Sequence, residues 1–97
     1  MAYKIEVSPI ASQNIEEAIS YYLNHVSKKV AADFLKDYKN TYKSLQKNPF
    51  YQYHDNNYRF LPFKKFPFIV FFMVDETNQI VYIKAVFNTH QNPKKSI

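Results

Sequence analysis

The 97-residue chain has no cysteine and no glycine, and each absence removes a class of chemistry. Without cysteine it forms neither disulfides nor thiolate metal ligands, so its stability rests on packing and backbone hydrogen bonding, as suits a reducing cytoplasm. Without glycine it has no Gly-rich loop to cradle a phosphate. It also lacks Pro-, Gly- or Ser-rich linkers, internal repeats and low-complexity segments. A chain this short closes only one hydrophobic core, so residues 1–97 are expected to form a single domain. The longest apolar run, Phe66 to Val74, has nine residues and is too short to span a bilayer as a helix. The opening Met1 to Val7 lacks the basic stretch, apolar run and small-residue cleavage site of a secretory leader. A cytoplasmic protein without membrane contact is therefore expected. His25, His54 and His90 have no metal-ligand spacing, so neither a metal nor a cofactor is expected.

What the chain does have is aromatic mass and positive charge. Nine Phe and nine Tyr, within an apolar fraction of 46%, supply the large side chains that order a small core. The net charge is +5, and it is uneven along the chain. Residues 1–55 carry seven Lys against six acids, whereas residues 56–97 carry six Lys/Arg against two acids. The C-terminal half is thus read as the basic half, suited to nucleic acid or to an acidic protein segment, although lysines also serve simple solubility.

Tyr3 to Val7 alternates apolar and polar residues and predicts a strand. Ser8-Pro9 is a helix start, since the serine oxygen accepts an orphan N–H and proline has none to strand. Helix one is expected to run to about His25, with Ala11, Ile15, Ala18, Ile19, Tyr22 and Val26 on one stripe. A second stripe after Ser27 runs through Ala31, Phe34, Leu35, Tyr38, Tyr42 and Leu45, with the lysines facing away, and Asn48-Pro49 ends it. The two helices are expected to form an antiparallel hairpin. Phe50 to Asn57 has no clear period and reads as a loop. Tyr58–Phe63, Phe66–Val74 and Ile80–Phe87 predict a three-strand antiparallel meander. Phe66 to Val74 is apolar throughout, which predicts a central strand covered on both faces, with Pro67 at its start. Asp75 to Gln79 supplies a turn in which Asn78 is the candidate for a left-handed backbone. The expected architecture is α+β: an N-terminal strand, a helical hairpin and a three-strand meander, with the helices on one face of the sheet.

In this order and spacing, the chain resembles the RelE/ParE superfamily of toxins from type II toxin-antitoxin systems, also described as plasmid-stabilisation proteins. The resemblance rests on Tyr3 to Pro9 with Ala11, on Ile15-Glu16-Glu17-Ala18 leading to Tyr21-Tyr22, and on Leu45 with Asn48-Pro49. It continues through Arg59, Phe66-Pro67-Phe68, Val74-Asp75, Ile83 to Phe87, Thr89-His90 and Asn92-Pro93. It implies the RelE/ParE fold and a growth-inhibiting toxin held in a hetero-oligomer by a cognate antitoxin. Relatives of the RelE branch cut messenger RNA on the ribosome, whereas those of the ParE branch inhibit DNA gyrase; fold alone does not separate them.

Metal-free RNA cleavage needs a base for the 2′-hydroxyl, cations for the phosphate and a proton donor for the leaving oxygen. Arg59, Lys64, Lys65, Lys94 and Lys95 are the candidate phosphate-binding residues. His90, of the side-chain type whose unperturbed pKa lies near neutrality, is the candidate for proton transfer, and Arg59 is its catalytic companion. Each also has a plainer reading. His90 sits in a polar segment as a solvated residue, Lys64-Lys65 is a charged turn, and Arg59, the only arginine, holds an acidic residue of the hairpin. Tyr51, Tyr53 and Tyr58 read either as a base-stacking platform or as packing residues. Two departures favour the ParE branch. RNA-cleaving relatives usually carry an arginine inside the central strand, where this chain has Phe68-Ile69-Val70-Phe71-Phe72, and the last strand ends in Asn88 and Gln91 where such relatives often show His or Arg. With Ile97 soon after the last strand, the C-terminal helix of some RelE-branch members is not expected.

Overall fold

The computed structural model describes residues 2–51, 53–55 and 58–90. Its elements are β1 (Lys4–Val7), α1 (Pro9–His25), α2 (Lys28–Lys47), β2 (Tyr53–Asp55), β3 (Tyr58–Pro62), β4 (Phe68–Asp75) and β5 (Ile80–Asn88). The strands form one sheet in the order β1-β5-β4-β3-β2. β1 runs parallel to β5, and all other neighbours are antiparallel. The α+β arrangement expected from the sequence is present. The addition is β2, which lies in the segment read as a loop and pairs with β3 through Tyr53 and Arg59.

Local chemistry sets the helix ends. The Ser8 side chain caps α1 by accepting from the Ala11 N–H at 3.0 Å, and its hydroxyl donates to the Lys84 carbonyl at 2.9 Å. The Ser8 N–H donates to the Ile83 carbonyl, so the strand-to-helix corner is tied to β5. Ser27 repeats the cap on α2, accepting from Val30 N–H at 3.1 Å, and only Val26 and Ser27 separate the helices. α2 stops at Asn48, whose side chain accepts from the Phe50 N–H and turns the chain toward the sheet.

The helices cover one face of the sheet. Phe34 of α2 is fully buried and meets Tyr22, Phe63, Phe66 and Phe68 at ring separations of 5.6, 5.6, 5.5 and 4.9 Å. Around this group pack Val70, Phe72, Val81, Ile83, Leu45 and Ile15. Burial of Tyr38, with Tyr42 beside it, pushes its phenol up to about 12.

β4 corrects one expectation. It is central, but its burial alternates: Phe68, Val70 and Phe72 are buried under the helices, whereas Ile69, Phe71 and Met73 are half-buried on the other face. The run is apolar throughout because that second face carries an aromatic row of its own. The Phe71 ring lies 5.3 Å from Phe87 of β5 and 6.4 Å from Phe60 of β3.

A bulge shifts the β4–β5 register, with Phe71 opposite Ala85 and Phe72 opposite Ile83, so Lys84 is passed over. It resets the alternation of β5 so that Val81, Ile83 and Val86 all reach the buried side. β1 ends at Val7, opposite Ile83, and beyond it Asn14 of α1 accepts from the Val86 N–H at 3.0 Å. In the β4–β5 turn the left-handed residue is Gln79, with φ 56°, not Asn78. Asn78 is engaged otherwise: its backbone and side-chain N–H groups both donate to the Asp75 carboxylate, which holds that carboxyl below its usual range.

Candidate functional site

The antiparallel pairing of β3, β4 and β5 sets which candidate residues meet. Pro62 pairs with Ile69 and Phe68 pairs with Asn88. The end of β3, the start of β4 and the end of β5 therefore lie at one end of the sheet. Lys64 and Lys65 occupy the turn between β3 and β4 and are exposed. Thr89, just past β5, donates to the Pro67 carbonyl twice, from its N–H at 2.7 Å and its hydroxyl at 3.1 Å. This places His90 at the same end, with its N–H on the Asn88 side-chain oxygen at 2.8 Å. The three residues thus share one rim, but His90 is exposed, and among the described residues no hydrogen bond orients its imidazole.

The basic turn is held by a residue that the sequence reading passed over. Asp37 of α2 is only 3% exposed, and one of its carboxylate oxygens accepts from the N–H groups of Lys65 and Phe66, each at 2.9 Å. Charge-assisted bonds of this kind are roughly twice as strong as neutral ones. Thr41, also buried, donates to the Asp37 backbone carbonyl. The signal was available, because Asp37 lies three residues after Phe34 and four before Thr41, on the stripe that α2 buries. A carboxylate on that stripe needs partners from outside the helix.

Arg59 does not join the rim. It pairs with Phe72, three residues up β3 from Pro62, or about 10 Å at the usual strand rise. Its guanidinium donates to the Tyr51 carbonyl at 2.8 Å and lies 5.2 Å from the centre of the Phe50 ring. The residues it clasps belong to the segment that follows α2, not to the hairpin. The proposed cluster therefore divides: Lys64, Lys65 and His90 stand together, Arg59 fastens the 50–51 segment to the sheet, and Lys94 and Lys95 lie outside the described residues.

The tyrosines are placed differently from one another. Tyr51 packs against the core and Tyr58 is exposed on β3, while the Tyr53 side chain lies outside the described residues. The open face of the sheet, the side away from the helices, is instead lined among the described residues by Phe60, Ile69, Phe71, Met73 and Phe87, with Tyr82 opposite Met73.

These features define a class: a small α+β fold that presents an aromatic sheet face and a basic rim, without an assembled acid–base pair among its described residues. The family model "ParE toxin of type II toxin-antitoxin system, parDE" matches residues 5–93, and the chain belongs to that family. Among solved structures it is similar to the chromosomal ParDE toxin-antitoxin system of P. aeruginosa, at 16% identity and TM-score 0.76, covering 90% of this chain and 96% of the other. A mutant of the E. coli toxin RelE in the free state aligns at 11% identity and TM-score 0.65, covering 99% and 93%. The RelBE2 toxin-antitoxin complex of Mycobacterium tuberculosis aligns at 10% and 0.62, covering 91% and 99%. At these identities the structures speak for the fold. No curated protein sequence matches significantly. No helix among the described residues is long and apolar enough to cross a membrane.

Proposed function

We propose that this member of the ParE family acts in the cytoplasm as a growth-inhibiting toxin. Its action is ParE-like: it binds and blocks an essential protein target such as DNA gyrase, and a cognate antitoxin neutralises it in a hetero-oligomer. The observation that carries the reading is the open sheet face. Its centre is aromatic and apolar, the composition of a protein-binding surface and not of a phosphate site. Acidic antitoxin residues would complement the basic rim at Lys64 and Lys65. Purified toxin should inhibit supercoiling by gyrase while leaving ribosome-bound messenger RNA intact, and induction without antitoxin should stop DNA synthesis before protein synthesis. The opposite order of arrest, with RNA cleaved at the ribosome, would reject this reading.

The rim itself supports one alternative, a ribosome-dependent endoribonuclease in which Lys64 and Lys65 hold phosphate and His90 moves the proton. In that case His90→Ala abolishes RNA cleavage without loss of folding. Unchanged cleavage in that variant removes the alternative, and harmless expression of folded protein would instead indicate a toxin fold that retains antitoxin binding alone.

A further inference from the structure

The charge division by sequence halves conceals a sharper one. Residues 1–55 are nearly neutral because α1 and β1 carry Glu6, Glu16 and Glu17, while α2 carries Lys28, Lys29, Lys36, Lys39, Lys43 and Lys47 against Asp33 and Asp37. Asp37 is buried and turned to the sheet. At ~100° per residue, the six lysines all fall within an arc of roughly 100°, centred opposite the stripe formed by Phe34, Thr41 and Leu45. All six are exposed, and no acid of α2 falls inside the arc. Asp33 stands at its flank, where it meets Lys29 at 3.5 Å, the only ion pair among the described residues that involves the row.

A face that serves solvation alone is expected to mix signs, with acids three or four residues from each lysine. Here Lys36–Lys39, Lys39–Lys43 and Lys43–Lys47 are like-charge neighbours at those spacings, which works against the helix. Lys28 and Lys29 stand in its first turn, where the helix dipole favours anions. An external polyanion would relieve both.

We infer that the lysine row of α2 is a binding surface for the phosphate backbone of a nucleic-acid duplex, separate from the open sheet face and from the rim. The chemistry on the row selects this occupant. It holds point-charge lysines without arginine forks, and Ala32 and Gln46 are the other residues in the arc, so no aromatic side chain stacks on bases and no apolar anchor seats a protein. Its length of about 28 Å matches roughly eight base pairs of duplex at ~3.4 Å rise. A straight helix against a curving backbone reaches three or four phosphates at once. Binding should then be independent of sequence and steeply dependent on salt.

The test is fluorescence anisotropy of the full chain with a mixed-sequence DNA duplex of about 20 base pairs across about 50 to 200 mM salt. A log–log slope of about −3, or a loss of about 60-fold over that range, is expected for the wild type. Lys39→Gln/Lys43→Gln should weaken binding more than tenfold and flatten the slope by about 2. Lys4→Gln/Lys84→Gln has the same net charge and should stay within about twofold of the wild type. Thermal melting confirms folding, and Lys36→Gln/Lys47→Gln replaces the first pair if that variant fails it. Three results overturn the inference: no duplex binding at low salt, equal weakening in the control pair, or displacement by a Glu-rich peptide as effective as by unlabelled duplex, which would make the row an acidic-protein surface.

Discussion

The two faces of the sheet are built from the same residue types and treated in opposite ways. On the helix side, Phe68 lies against Phe34 and Phe72 is fully buried in the same core; on the open side, Phe71 meets both Phe60 and Phe87, and all three remain half-buried. Degree of burial, not residue type, therefore distinguishes the two sets, and substitution should separate them. Phe34→Ala removes the ring on which four other aromatics converge and is expected to cost about 3 to 5 kcal/mol in urea unfolding, a large part of a small domain's stability. Asp37→Ala leaves the Lys65 and Phe66 N–H groups without their acceptor and should cost about 2 to 3 kcal/mol. Faster amide exchange at those two residues would localise the loss to the basic turn. Phe71→Ser should cost less, about 1 to 2 kcal/mol, yet weaken antitoxin or target binding more than tenfold. If Phe71→Ser proved as destabilising as Phe34→Ala while leaving binding intact, the contrast between the faces would fail.

A pH dependence is also expected on the helix side. The Tyr38 phenol is pushed up to about 12 by burial. Between pH 10 and 12 the unfolded chain loses that proton while the folded chain keeps it, so unfolding is favoured as pH rises. The contribution is complete below pH 10 and gone above about 12. Tyr38→Phe should flatten this part of the alkaline unfolding profile; an unchanged profile would assign the alkaline loss to other groups.

Features encoded within a few residues were legible from the sequence. Ser8-Pro9, Ser27 and Asn48-Pro49 set the helix bounds because caps and prolines act locally. The apolar periods placed β3, β4 and β5 for the same reason. What escaped depends on which partner each group finds in the folded chain. β2 has three residues, too few to show a period, and exists because β3 offers it an edge. Asn78 looked like the left-handed residue, but its groups are occupied by Asp75, and Gln79 takes that backbone instead. Of the candidate residues, Lys64, Lys65 and His90 lie at one end of the sheet because the β3–β4 turn and the end of β5 are neighbours there. Arg59 does not join them, and nothing near it in sequence announces that the Tyr51 carbonyl will be its acceptor. Asp37 was missed because a helix period reports which face is buried, not which foreign N–H groups await there.

The parallel pairing of β1 with β5 has a consequence for the timing of synthesis. Of the five strands of this sheet, the first to be made waits for the fifth, since Ile5 and Val7 find their places only beside Val81 and Ile83. Such distant pairings close slowly. A nascent chain can form its helical hairpin early, but it cannot complete the sheet, or the open face that β3, β4 and β5 build together, until β5 has been made. For a protein proposed to be harmful when unaccompanied, that order leaves an interval in which a partner already present can meet the chain before its surfaces are finished.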